Sequence, residues 1–281
     1  MTAEAPPRAA RVLGVCADDF GLAPGVSAAI VRLAARERLT AVSCLVNGAH
    51  WHAGAPRLRD LPASVDVGLH FDLTEGEPLS AELRRVWPVF PSLPRLIASA
   101  HLRRLPMREI RAELAAQRTA FIAATGRAPA FLDGHQHVHH LPQVRDAVLD
   151  AIGESGTPVR NTGRVPGPGF AVKRALIAGT GGLALHRTLR ARGMRHNAAL
   201  VGVYDFVPGR YRDWMRGWLA SVPADGALLF CHPGDADTRG VADPIASARV
   251  AEAAYFESDA WLDDLAAARI VPGRAWQQAV T

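Results

Sequence analysis

Short apolar runs alternate with amphipathic helical segments along almost the whole chain, and nearly every run ends in a polar side chain. Arg11–Ala17 runs into Asp18-Asp19, Ala41–Val46 into Asn47, and Val65–Leu73 carries His70. Ala130–Leu132 leads to Asp133 and His135, Thr157–Arg160 to Asn161, Ala198–Tyr204 to Asp205, and Ala227–Phe230 to Cys231-His232. Between them lie stretches with helical spacing of apolar residues: Pro24–Leu39, Ala53–Leu61, Met107–Thr125 with Gly126 as its stop, Pro142–Ser155, and regions near 170–192, 210–220 and 245–268. About seven strands separated by helices predict an α/β fold with a parallel sheet and helices outside. In such folds ligands collect at the carboxyl ends of the strands. An open sheet concentrates polar groups at one switch point, whereas here nearly every strand delivers one. A closed or nearly closed barrel is therefore favoured over a doubly wound sheet.

The expected layout is a flexible tail over 1–10 and a single barrel domain over 11–281. The Pro-rich stretch 75–106 (Pro78, Pro88, Pro91, Pro94) reads as an excursion over the site. In 281 residues there are three cysteines, Cys16, Cys44 and Cys231, each within an apolar run and none in a C-x-x-C pair. Neither a disulfide framework nor a thiolate metal site is supported, and a reducing compartment fits. The first ten residues lack a secretory pattern and no apolar stretch reaches membrane-spanning length, so a cytoplasmic protein without a transmembrane segment is expected. The net charge of +5 is spread along the chain and is carried almost wholly by Arg. That favours a solvated surface over a nucleic-acid face. The Arg-bearing stretch 170–195 is at most a weak pointer to a membrane surface. Gly21 and Gly25 do not form G-x-G-x-x-G, which leaves a dinucleotide fold without support.

The chemistry concentrates in Phe131-Leu132-Asp133-Gly134-His135-Gln136-His137-Val138-His139-His140, where four of eleven histidines fall within six residues. Neutral imidazole is the commonest metal ligand, and a packed core has little use for so many together. Either an alternating or a helical geometry lets at least two of them converge. At Asp18-Asp19, adjacent side chains point different ways, so one carboxylate can hold a metal while the other faces a water. A capping aspartate ahead of Pro24 is the plainer reading of that pair. His70 shares a face with Asp72 by alternation. Cys231 lies opposite His232 on the last strand, so a thiol nucleophile is not expected.

Taken in order, Ala17-Asp18-Asp19-Phe20-Gly21-Leu22, Leu45-Val46-Asn47-Gly48, Gly68-Leu69-His70-Phe71-Asp72-Leu73-Thr74, Leu132-Asp133-Gly134-His135-Gln136-His137-Val138-His139 and Cys231-His232-Pro233 resemble the YdjC-type carbohydrate deacetylases. That group includes chitooligosaccharide and hopanoid-biosynthesis-associated deacetylases. The resemblance implies a distorted (β/α) barrel, TIM-barrel-like, and one divalent ion, Mg²⁺ or Zn²⁺, on Asp19, His70 and His135. It further implies Asp18 as general base, His232 as acid, a possible homodimer, and an N-acetylated sugar, free, oligomeric or lipid-linked, as substrate. It is weakest over Glu154–Leu200.

Amide hydrolysis needs a nucleophile at neutral pH and a stabilised oxyanion, and a three-ligand metal supplies both. Asp133 is expected to fix a ligand imidazole. His137, His139, Asn47 and Arg160 are expected around the ligands or on the sugar. Trp51, Trp87 and Trp214 are read as core first and sugar contacts second. Two other readings remain: a phosphoesterase on a similar barrel, which would favour two metals, and a non-catalytic metal- or sugar-binding protein, for which an acid and a base have no use.

Overall fold

The computed structural model describes residues 10–238 and 240–276. All of the expected tail except Ala10 lies outside them. Seven strands form one parallel sheet: β1 (Arg11–Phe20), β2 (Ala41–Cys44), β3 (Asp66–Phe71), β4 (Leu132–Gly134), β5 (Leu200–Val201), β6 (Ala227–Cys231) and β7 (Ile270–Pro272). The order across the sheet is β4-β3-β2-β1-β6-β5, with β7 paired to the start of β1.

The edges β4 and β5 are joined by the segment 158–164 rather than by a regular strand. Leu132 donates to the Pro158 carbonyl at 2.9 Å, Val159 to that of Arg195 at 3.1 Å, and Leu200 to that of Arg164 at 2.9 Å. Val159 thus bridges Leu132 and His196, giving the distorted (β/α) barrel. The strand expected at Thr157–Arg160 contracts to this bridge because Pro158 offers no N–H. Beyond it, two side-chain amides replace the ladder. The Asn161 N–H donates to Asn197 Oδ1 at 2.7 Å, and Asn197 Nδ2 returns a bond to the Asn161 carbonyl at 3.0 Å.

Strand alternation sorts side chains into two compartments. Leu13, Val15 and Ala17 of β1, Val67 and Leu69 of β3, and Leu229 and Cys231 of β6 join the large core beneath the helices. The opposite parity, Cys16, Ala41, Phe131, Leu200, Leu228 and Phe230, forms a smaller core inside the barrel. Continuing that inner parity toward the carboxyl ends gives Asp18, Ser43, His70, Asp133 and His232. The interior is therefore apolar at its base and polar at its mouth. Cys231 faces the helices, as the alternation predicts.

The helix Met107–Thr125 appears with the expected bounds, and Gly126 leaves it in the left-handed region at φ 74°. Several other elements differ. The first helix ends at Ala35, and the segment near 245–268 is two helices, Ala246–Glu257 and Asp259–Ala268. The segment 171–191 is broken by a π-helical turn at Ala178–Gly182. That turn presses on the histidine-rich loop so closely that a Cβ on Gly181 would overlap the His140 carbonyl oxygen.

Helix Ala246–Glu257 turns a charged side chain inward. Glu252 is wholly buried, accepting bonds from the Tyr204 hydroxyl, from Tyr211 Oη at 3.3 Å and from the His232 N–H at 2.6 Å. Burial, partly offset by those bonds, pushes its carboxyl up to about 7.

Two consequences are measurable. Gly181→Ala should cost about 1–3 kcal/mol in urea unfolding, because the opposing atom is backbone and cannot step aside. Glu252 holds its proton more tightly folded than unfolded, so its contribution falls as pH rises from about 4.5 to about 7. Glu252→Gln should flatten that decline, by on the order of 3 kcal/mol across the window. An unchanged pH profile would show that Glu252 is not the buried acid responsible.

Candidate metal centre and active site

At the end of β1 the pairing with β2 shifts register between Ala17 and Phe20, and Asp19 takes φ 69°. Simple alternation would send Asp19 to the helix side. The irregularity instead turns it into the barrel beside Asp18, the re-aiming that bulges produce near functional sites. His70 leaves β3 in register with Asp133 on β4. His135 follows β4 directly, in a short helical turn where Gln136 and His137 have φ of 50° and 63°.

Asp19, His70 and His135 meet: one ligand atom from each lies within 4.8 Å of the others. His135 Nδ1 is 3.0 Å and His70 Nε2 is 3.4 Å from Asp19 Oδ1. The other face of His70 is fixed, since its Nδ1 lies 2.7 Å from Asp133 Oδ1, which also accepts from Ser43 Oγ at 2.5 Å. Nδ1 then carries its proton toward Asp133, and Nε2 is the nitrogen that faces Asp19 and would give up its proton to a metal. Burial pulls the His70 imidazolium down, but the Asp133 and Asp18 carboxylates reverse this and raise it to about 10. Burial likewise works against ionised Asp19. The Arg249 guanidinium and His135 outweigh it and hold the carboxyl well below its usual range.

A second buried group, Cys16, Asp18 and Asp133, also offers three donor atoms in close reach. It already contains a cation. Arg160 is wholly inaccessible and donates to both Asp18 oxygens at 2.6 Å. Its Nη2 stands 2.5 Å from Asp133 Oδ2 and 3.2 Å from Cys16 Sγ. Burial keeps the Cys16 thiol protonated. Arg160, expected around the ligands or on the sugar, is spent within the protein beneath the cluster.

Of the four clustered histidines only His135 joins Asp19 and His70 among the described residues. His139 is fully buried and donates from Nε2 to the Arg160 carbonyl at 2.9 Å. His140 is tied to Thr162 and Thr180 by its two ring nitrogens, at 2.8 and 3.0 Å. His137 faces the cavity, with its Nδ1 unpartnered. Asn47 lies away from the cluster, bonding Asp72 Oδ2 at 2.8 Å and the Glu75 carbonyl at 2.9 Å. Asp72, which shares the inner parity with His70, organises the same loop by accepting from the N–H groups of Thr74 and Glu75. Trp51 is wholly buried and stacks on Phe121, the core reading. Trp87 and Trp214 line neither described cavity.

His232 stands across the mouth from Asp19, its ring edge-on to Phe206 and Phe230 at centroid distances of 5.2 and 5.6 Å. Burial lowers it to about 4, so it is neutral at pH 7, and its Nδ1 has no partner. Arg249 is the residue that the motifs did not reveal. Its Nη2 donates to Asp19 Oδ2 at 2.8 Å and its Nε to Asp243 at 2.7 Å, leaving Asp19 Oδ1 to the histidines. Its trace in the sequence is a charge pair, Arg249 and Glu252, three apart on the buried face of an Ala-rich helix. The cluster, Asp18 and His232 all line one cavity of about 470 Å³.

Among solved structures, that of an Enterococcus faecalis V583 protein, described only as a candidate for cellobiose-phosphate cleavage, shares this fold. The TM-score is 0.72 at 19% identity, covering 95% of this chain and 98% of that one. The sequence pattern of YdjC-like proteins matches residues 12–267, from the first residues of β1 to the last helix. The chain belongs to the YdjC-like protein family.

Proposed function

We propose that the protein is a metal-dependent hydrolase that removes the N-acyl group, acetyl in the simplest case, from an amino sugar or sugar conjugate. The observation that carries this reading is the meeting of Asp19, His70 and His135 in one cavity with Asp18 and His232. One carboxylate and two imidazoles fit a single divalent ion, and two nitrogen donors suit zinc-type ions better than Mg²⁺. When bound, such an ion lowers the pKa of a water and polarises the amide carbonyl.

The chain's own groups supply the rest. Arg249 and Asp133 hold Asp19 and His70 in place before anything binds. Asp18, oriented by Arg160, is proposed to take the attacking water's proton on a lone pair that the guanidinium leaves free. His232, neutral at rest, would receive the proton that Asp18 took from the water and pass it to the departing amine. The net change is amide plus water to carboxylate and amine.

The two-metal phosphoesterase reading is disfavoured by Arg160, whose guanidinium fills the position that a second ion would need between Asp18 and Asp133. A pure binding protein is disfavoured by the unpartnered, neutral His232 facing the cluster.

Amine release from N-acetylated sugars should stop on chelation and return with zinc. His232→Ala should lower kcat by about 10²–10⁴-fold at unchanged metal content. Asp133→Asn should weaken metal affinity by roughly 10–100-fold. Full turnover after metal removal, or in an Asp19→Asn variant, would overturn the assignment.

A further inference from the structure

An acetyl group leaves most of this cavity unfilled. At about 470 Å³ it lies within the range that encloses a drug-sized ligand. Away from the cluster its wall is built largely of Leu93, Ile97, Leu176, Ile177, Phe206 and Ile245. These come from segments distant in sequence. Leu93 and Ile97 lie on helix Leu93–His101 of the proline-rich excursion, and Leu176 and Ile177 on helix Ala171–Ile177. The two segments are joined by a hydrogen bond between His101 Nε2 and the Thr180 carbonyl, 3.1 Å.

Most polar groups along this wall are consumed by the protein. Lys173 Nζ donates to the Tyr204 carbonyl at 2.7 Å and sits over the Phe206 ring, while both His140 nitrogens are bonded to threonines. Among the described groups lining the cavity, His137 Nδ1, His232 Nδ1 and Arg249 Nη1 stay unpartnered and buried, the latter two beside the cluster. A sugar ring, with a hydroxyl on nearly every carbon, finds few partners in such a chamber. An alkyl chain needs none.

The polar counterpart lies next door. A second cavity, about 390 Å³, shares Leu22 and Glu75 with the first and is lined by Asn47, Gly76, Glu77 and Arg84. Asn47 Oδ1 is buried and unpartnered there. The cluster belongs to the apolar cavity alone. A scissile amide held at the cluster, with its sugar directed past Leu22 and Glu75 toward Asn47, leaves its acyl side pointing into the apolar chamber.

We propose that the substrate is an amino sugar whose N-acyl group is a chain of several carbons rather than acetyl alone, the chain occupying the chamber between helices Leu93–His101 and Ala171–Ile177. The inference rests on the hydrolase reading above and specifies its substrate. The reaction consumes water and yields the free amine and an alkyl carboxylate.

The test compares N-acetyl-, N-butyryl-, N-hexanoyl- and N-octanoyl-glucosamine with the octyl glycoside of N-acetylglucosamine, using zinc-loaded protein. Binding of each is measured by calorimetry on chelator-treated protein. In the acyl series kcat/KM should rise by up to about fourfold per methylene until the chamber is full. Affinity without metal should rise in parallel. The octyl glycoside should be no better than its unalkylated parent. Ile97→Trp and Ile177→Trp should lose the preference for long chains while still cleaving the acetyl compound.

Cleavage of the acetyl compound with longer acyl chains inert, or enhancement confined to the octyl glycoside, would overturn this inference and leave the hydrolase reading standing. Chain-length dependence unaffected by both Trp variants would also overturn it. Failure to cleave any amide would remove both.

Discussion

A guanidinium with no access to solvent sits between two carboxylates at the mouth of the barrel, and the geometry above it follows from that placement. Arg160 pairs with Asp18 and Asp133 together, tying β1, β4 and the closing segment 158–164 to one another. Burying either carboxylate alone would be costly, and removing one partner of a buried ion pair typically costs about 3–5 kcal/mol. The gain is in placement. Asp133, held down by Arg160 and by His70 despite its burial at about 2, stays anionic and fixes the His70 ring. The aspartate that orients an imidazole is thus itself held by an arginine, two layers beneath the cluster.

The same economy explains why the site is asymmetric. Two groups of potential metal ligands stand side by side, yet the one holding Cys16, Asp18 and Asp133 has a guanidinium inside it and the one holding Asp19, His70 and His135 does not. Arg249 touches the latter only from outside, gripping Asp19 Oδ2 and leaving Oδ1 toward the histidines. Guanidinium charge therefore surrounds the cluster without entering it. Phe206 and Phe230 flank His232 and help keep its ring dry and neutral, so that a group able to carry a proton faces one able to receive it.

The barrel and its polar mouth were legible because strand parity is a strict rule. Phe131, Asp133 and His135 alternate inward, as do Leu228, Phe230 and His232, and the chain shows this without coordinates. Other features depend on contacts that no local pattern encodes. Asp19 faces inward only through a register shift and a positive φ. The Asn161–Asn197 exchange looks like two unremarkable loop residues until the barrel brings them together. The histidine-rich loop shows the same limit. Spacing says which side chains can converge, but tertiary partners decide. Arg160, Thr162 and Thr180 claim His139 and His140, leaving His135 for Asp19. Arg160 is expected around the ligands or on the sugar, and no local pattern shows its pairing with two carboxylates that lie 142 and 27 positions away along the chain.

The central claim is that one cation belongs among three particular side chains and that a guanidinium takes the place of a second. Zinc titrated into chelator-treated protein, followed by location of the ion by anomalous scattering in crystals, tests it most directly. The account predicts one ion per chain, about 2.0–2.2 Å from Asp19, His70 and His135 atoms, with Arg160 still seated between Asp18 and Asp133. An ion bound elsewhere, or two ions with Arg160 displaced, would contradict it.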